Sequence, residues 1–170
     1  MYHSIIDKHK NLNLNESTHT YTLCDSNIEF TSVTEFISSF FKPFDEYKIA
    51  KKLSTLKKYN HMSTEEILQD WERRRNRGTV VHKQIEEFLH EREREVQSLE
   101  KNVDTNYSLD LKTKQGIEFL KEKCINENNN LFPEIKIYSK ELQIAGTIDL
   151  IIYNKKHNKI YLIDWKTNVE

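Results

Sequence analysis

Residues 146–167 read GTIDLIIYNKKHNKIYLIDWKT, two apolar runs separated by one polar break, Asn154-Lys155-Lys156-His157-Asn158. A turn centred between Lys156 and His157 folds this stretch into an antiparallel hairpin. Unbulged pairing about that centre sets Asp149 opposite Asp164. Side chains alternate along a strand, so Ile151 and Tyr153 share a face with Asp149, and Ile160, Leu162 and Lys166 share one with Asp164. The other face carries Ile148, Leu150, Ile152, Tyr161, Ile163 and Trp165. Both faces are apolar except at one end of one of them, where two carboxylates and an ammonium converge. Directly opposed side chains have Cβ atoms roughly 5 Å apart, and like charges there destabilise the pair. Lys166 offsets one charge. Either a divalent cation offsets the other, as carboxylate oxygens hold Mg2+ at about 2.1 Å, or the charges at this strand end simply pair with each other.

Working outward, the residues before the hairpin predict a third strand at 132–141, so that strands at 132–141, 144–153 and 159–166 close the chain as a meander. Helices precede them. Ser32 and Glu35 have capping-box spacing and open a short helix that stops before Pro43. Residues 44–58 predict a second helix with a lysine-rich side. Ser63 and Glu66 form another capping box, starting a helix through Trp71 that Gly78 interrupts or restarts. From Thr79 to about Glu95, Val81, Ile85, Phe88 and Leu89 make a narrow apolar stripe facing a core. Residues 98–108 read as a loop, and 109–126 as a helix that partly buries Leu111, Ile117, Phe119 and Leu120. Asn128-Asn129-Asn130 is a break. Near the N-terminus, β-formers in residues 18–31 around Asp25-Ser26-Asn27 predict a hairpin. Helices followed by a meander indicate an α+β architecture, helices packed on a small mixed sheet, in one domain spanning residues 1–170.

The composition narrows the function classes. With 36% apolar, 31% charged and 11% aromatic residues the chain is polar but not disordered, and its net charge of −1 supplies no global basic field. Nucleic-acid binding therefore needs a local patch. Arg73, Arg74, Arg75 and Arg77 form one candidate for backbone phosphates, against the alternative of a solvated face paired with neighbouring acids. Trp71 and Tyr138 are candidates for stacking on bases, with core packing the alternative for Trp71. Cys24 and Cys124 are far apart and form no CxxC pair, which excludes a cysteine-ligated zinc site or iron–sulfur cluster and fits reduced thiols. No signal peptide or membrane-spanning run is present, so the expected setting is intracellular: the cytoplasm, or a host cell if the protein is viral.

Asp149 followed by Asp164-Trp165-Lys166 resembles the PD-(D/E)XK nuclease signature, with Ile148-Asp149 in place of Pro-Asp. Gly146-Thr147-Ile148-Asp149 with Ile163-Asp164-Trp165-Lys166-Thr167 is similar to the RecB-like branch, which includes mitochondrial genome maintenance exonuclease and phage recombination exonucleases. Its pattern is G-x-x-D followed by an aliphatic residue and D-x-K-T. That branch also carries a helix with G-x-x-x-H, matched here by Gly78-Thr79-Val80-Val81-His82. Thr31-Ser32-Val33-Thr34 resembles the SVT segment that precedes the first helix of phage-type members.

The resemblance implies a restriction-endonuclease-like core and a Mg2+-dependent deoxyribonuclease, an exonuclease in DNA repair, recombination or replication. Asp149, Asp164 and Lys166 are then catalytic, and His82, Asp149, Asp164 and the Trp165 carbonyl are metal ligands. An imidazole ligand suits Mn2+ as a substitute. Glu86, one helical turn after His82, and Glu141 are secondary candidates. The expected substrate is DNA that is single-stranded or has free ends. Relatives continue with a Q-x-x-x-Y helix, whereas Glu170 follows closely here. The chain is therefore expected to be a truncated piece, a minimal form or one part of a split protein that a partner completes. The rival to the enzyme is a catalytically silent nucleic-acid-binding or assembly module on the same fold.

Overall fold

A short helix and a three-strand meander open the chain: α1 (Tyr2–Lys10), β1 (Leu12–Asn15), β2 (Thr20–Leu23) and β3 (Glu29–Ser32). The computed structural model describes residues 2–26, 28–97 and 109–167. The expected hairpin of residues 18–31 is the β2–β3 pair, with Tyr21 opposite Phe30 and Thr22 opposite Glu29. Asn27 of its turn, and the loop expected at 98–108, lie outside the described residues. α1 and β1 are additions to the sequence reading. The alternation Leu-Asn-Leu-Asn of β1 spans only four residues, too few to stand out, yet Leu12 is fully buried.

Three helices follow, each started by a side-chain cap. Ser32 Oγ accepts from the Glu35 amide at 3.1 Å and opens α2 (Val33–Ser38). Asp45 accepts from the Lys48 amide at 2.9 Å and opens α3 (Glu46–Ser54), shorter at both ends than residues 44–58. Ser63 and Glu66 close a reciprocal box, with Glu66 N donating to Ser63 Oγ at 3.1 Å and Ser63 N to Glu66 Oε2 at 2.6 Å. The helix they start, α4 (Thr64–Gln97), runs 34 residues without a break. The expectation that Gly78 interrupts it is therefore wrong. A helical glycine costs about 1 kcal/mol relative to alanine, which one long helix packed against a sheet absorbs.

α5 (Leu111–Phe119) passes into a π-helical turn, Leu120–Cys124, closed by Ile125 N donating to Leu120 O at 2.8 Å. This replaces the helix expected over 109–126. Ile117 and Leu120 are buried as expected, but Leu111 and Phe119 are exposed. β4 (Asn129–Ser139), β5 (Ile144–Asn154) and β6 (Lys159–Ile163) complete the chain. Asn129 and Asn130, read above as part of a break, belong to β4. The Asn129 side chain helps to end the ladder: its Nδ2 donates to Cys124 O at 2.9 Å, and its Oδ1 accepts from Asn154 Nδ2 at 2.7 Å.

The strands form one mixed sheet in the order β1-β2-β3-β5-β4, with β6 also paired to β5. The architecture is α+β, as the element order implied. β3 and β5 are parallel, Thr31 opposite Ile144 and Ser32 opposite Ala145. The β5–β6 hairpin has the register its turn dictates, Leu150 opposite Ile163 through Asn154 opposite Lys159. β6 ends at Ile163, however, three residues short of the expected strand. Its Leu162 and Tyr161 are exposed, so this strand is not buried on both faces.

Two cores hold the sheet. Val81, Ile85 and Leu89 of α4 pack with Leu120, Cys124, Leu150 and Ile152, with Phe88, Ile163 and Trp165 at the margin. The apolar stripe of α4 is therefore the one read from spacing. Leu12, Tyr21, Leu23, Phe30 and Ala145 form the second core, flanked by Tyr138, whose ring lies 5.1 Å from that of Phe30. Among the described residues, no helix is long and apolar enough to cross a membrane.

Ile85 is 1% exposed, and its Cδ1 lies where a Cβ on Gly116 would come within 2.8 Å. Ile85→Ala is expected to lower unfolding free energy by about 2–5 kcal/mol in urea titrations. Adding Gly116→Ala to that variant is expected to restore part of the loss by refilling the space. Independent, additive costs for the two changes would rule out this packing.

Candidate active site

The segments singled out in the sequence meet around β5. Gly146 lies where Val33 of α2 packs: an added Cβ would come within 3.1 Å of Val33 Cγ2. Gly78 does the same for the end of the chain, since an added Cβ there would stand 3.0 Å from Thr167 Oγ1. Four residues on, His82 Nε2 is 2.9 Å from the Trp165 carbonyl oxygen, across 83 residues of sequence. Asp149 Oδ2 accepts from the Trp165 amide at 2.7 Å and lies 3.6 Å from His82 Nδ1. Asp149, His82 and the Trp165 backbone thus form one partly buried cluster at the point where β6 has left the ladder.

Asp164 is not part of it. The expected pairing of Asp149 with Asp164 does not form, because the β5–β6 ladder stops one pair earlier, at Leu150 and Ile163. Two opposed carboxylates would repel. The strand instead departs, and Asp149 takes a backbone N–H in place of a second negative charge. Asp164 turns outward and pairs with Lys166, Nζ to Oδ2 at 2.7 Å, with both side chains more than half exposed. This carboxylate holds the Lys166 ammonium above its usual range.

The sequence reading missed Glu134. Pro133 pairs with Leu150 and Ile135 with Ile148, which leaves Glu134 opposite Asp149. Its φ of 48° is left-handed and interrupts the β4–β5 ladder there, an uncommon conformation for a side chain of this size. Burial raises its carboxyl to about 7, and the charges of Glu86 and Asp149 add to the rise. Pro133 inside a strand run was the available signal, since proline there marks a bulge. Glu86 and Glu134 line a cleft of about 320 Å³ with His9, Glu16, His90 and Lys136. His9 enters it from α1, its Nδ1 accepting the Lys136 amide at 2.8 Å. Burial and the charges of Lys136 and Lys10 depress the imidazole's affinity for a proton.

The remaining candidates sit apart. Glu141 is exposed in the turn that joins β4 to β5, roughly 17 Å along β5 from Asp149. All four arginines already face acids. Arg73 and Arg74 both pair with Asp70, Arg74 at 2.7 Å, and Arg75 pairs with Glu46 at 2.8 Å. Arg77 grips Asp110 through two nitrogens at 2.8 and 2.9 Å. Tyr138 packs beside Phe30, and Trp71 lies 5.9 Å from the ring of Phe44.

Carboxylates with an imidazole and a carbonyl oxygen are the donor chemistry of a Mg2+ or Mn2+ site. As placed, among the described residues, no group of three or more His, Cys, Asp or Glu side chains is arranged to hold a metal ion. Asp164 faces away, and His82 Nε2 and the Trp165 carbonyl are occupied with each other. Comparison with protein families, curated proteins and solved structures finds no match to this chain.

Glu134 binds its proton more tightly folded than unfolded, so its ionisation removes stability as pH rises from 4.5 to about 7. Glu134→Gln is expected to melt several degrees above the parent at pH 8 and level with it near pH 4.5. Parallel melting curves across that range would show that the carboxyl is not strained in this way.

Proposed function

We propose that the chain is a Mg2+-dependent nuclease that hydrolyses phosphodiester bonds of DNA, acting from free ends in repair, recombination or replication. The observation that carries the reading is the meeting of four separate motif segments. Val33 packs at Gly146, Gly78 at Thr167, and His82 at Trp165 and Asp149. The core packing of α4 on β5 brings these segments together, and at their meeting point stands a largely buried carboxylate rather than an apolar side chain.

The donors for a cation would be Asp149, His82 and the Trp165 carbonyl, joined by Asp164 once it leaves Lys166. When bound, Mg2+ or Mn2+ supplies Lewis acidity toward a phosphate oxygen and acidifies a water. The chain's own groups do the rest. The Trp165 amide fixes one oxygen of Asp149 and leaves the other free. Glu134, with its carboxyl near 7, is poised to accept or return a proton at neutral pH. Lys166 brings an ammonium to the phosphate charge. Its pair with Asp164 is exposed and screened by solvent, so exchanging that partner for a phosphate costs little.

The outward pairing of Asp164 with Lys166 favours a second reading, a nucleic-acid-binding or assembly module without turnover. End-labelled and circular DNA, single- and double-stranded, incubated with Mg2+, Mn2+ or EDTA, separates the two. Metal-dependent cutting of ended substrates supports the nuclease; binding with no cutting supports the silent module. Lys166→Ala is expected to reduce the cutting rate by about a hundredfold or more with an unchanged melting temperature, because the side chain is exposed. Asp149→Asn is expected to abolish cutting and weaken Mn2+ binding in calorimetry. A Lys166→Ala variant that cuts as fast as the parent defeats the mechanism.

A further inference from the structure

Six exposed large apolar side chains fall within residues 36–47: Phe36, Ile37, Phe40, Phe41, Phe44 and Tyr47, with Phe40 and Phe41 71% and 70% exposed. They cover the outer side of α2, the connection to α3 and the start of α3. Rings meet there at the surface, Phe36 with Phe40 at 5.2 Å between centroids. A concentration of exposed apolar side chains in one short segment is the kind of surface that binds a partner. Its charge says for what. Residues 42–58 hold six lysines against two acids, Asp45 and Glu46, in a chain of net charge −1. Asp45 is engaged in capping α3 and Glu46 in pairing Arg75. This positive segment was legible as a basic side of a helix.

We infer that this aromatic and lysine-rich surface is a docking platform for single-stranded DNA, an inference that rests on the nuclease reading for its place beside the site. Exposed rings stack on unpaired bases, and lysines track the phosphates between them. A duplex offers no free base faces, and a second copy of this chain would bring like charge against like charge. The platform is joined to the candidate active site at two points. Val33 seats α2 on β5 at Gly146. Phe44 lies against Trp71 of α4, roughly 16 Å along that helix from His82. The rings and Asp149 are thus carried by elements that pack on each other, α2 on β5 and the connection to α3 on α4.

The test is fluorescence anisotropy with labelled oligo-dT of about 20 nucleotides, and with a duplex of equal length, in EDTA so that no cutting occurs. Phe40→Ala/Phe41→Ala is expected to weaken oligo-dT binding about tenfold or more, and duplex binding by less. Both rings are exposed, so the melting temperature stays that of the parent. Lys48→Gln/Lys51→Gln is expected to weaken both ligands and to flatten the dependence of affinity on salt. Failure of the parent to bind oligo-dT at low salt, or affinity of the phenylalanine variant within twofold of the parent, overturns the inference. So does self-association of the parent, or binding to phosphatidylserine vesicles, that the phenylalanine change removes while oligo-dT binding is untouched. Absence of cutting with Mg2+ alongside ring-dependent binding would overturn the nuclease reading and leave the platform standing.

Discussion

Asp149 stands in the middle of an eleven-residue strand with its side chain only 16% exposed, and the segments around it are arranged as a charge in that place requires. Water cannot fully solvate the carboxylate, so neighbours must answer it. The Trp165 amide does so on one side, which is possible only because the chain abandons the β5–β6 ladder after Ile163. On the other side β4 breaks its own ladder at Glu134. Burial, with the charges of Glu86 and Asp149 beside it, makes the carboxyl of that residue reluctant to ionise. Interrupted strands on both sides of one residue are a costly way to build a sheet. They open space beside the carboxylate that continuous pairing would have closed.

The glycines express the same economy of distance. Gly78 and Gly146 lie in regular structure, where glycine is ordinarily a loss. Each admits a neighbouring segment to a separation that a methyl group would obstruct. His82 reaches the Trp165 carbonyl only if α4 lies close to the chain that follows β6, and Gly78 sits where that approach occurs.

Local signals carried much of the architecture. Both serines capped their helices, Ser63 with the full reciprocal box, the α4 stripe faced the core, and the last hairpin took the register of its turn. Each of these depends on residues a few positions apart, whose interactions a linear reading contains. Long-range balance was not legible. Nothing in the spacing of Asp149 and Asp164 said that their repulsion would end the ladder rather than recruit a counter-charge across it. Gly78 looked like a breaker because its packing partner, Thr167, lies at the other end of the chain. Glu134 was hidden for the same reason: its state comes from burial under distant segments and from the charges of Glu86 and Asp149, which sequence order sets far from it. The sequence shows an apolar run in residues 36–47 but not whether it is buried, because burial is decided by what covers a segment.

The hydrogen bond between the Tyr21 hydroxyl and Thr147 spans 126 residues, and the parallel contact of β3 with β5 spans nearly as many. A chain emerging from the ribosome therefore completes its N-terminal meander long before the strand that must border it exists. During that interval β3 presents an unpaired edge beside the aromatic segment of α2, and closing so large a loop is slow compared with forming hairpins. The order of synthesis thus makes β5 the last piece needed by both halves of the sheet. Until β5 is made, β3 has no parallel neighbour to cover its edge.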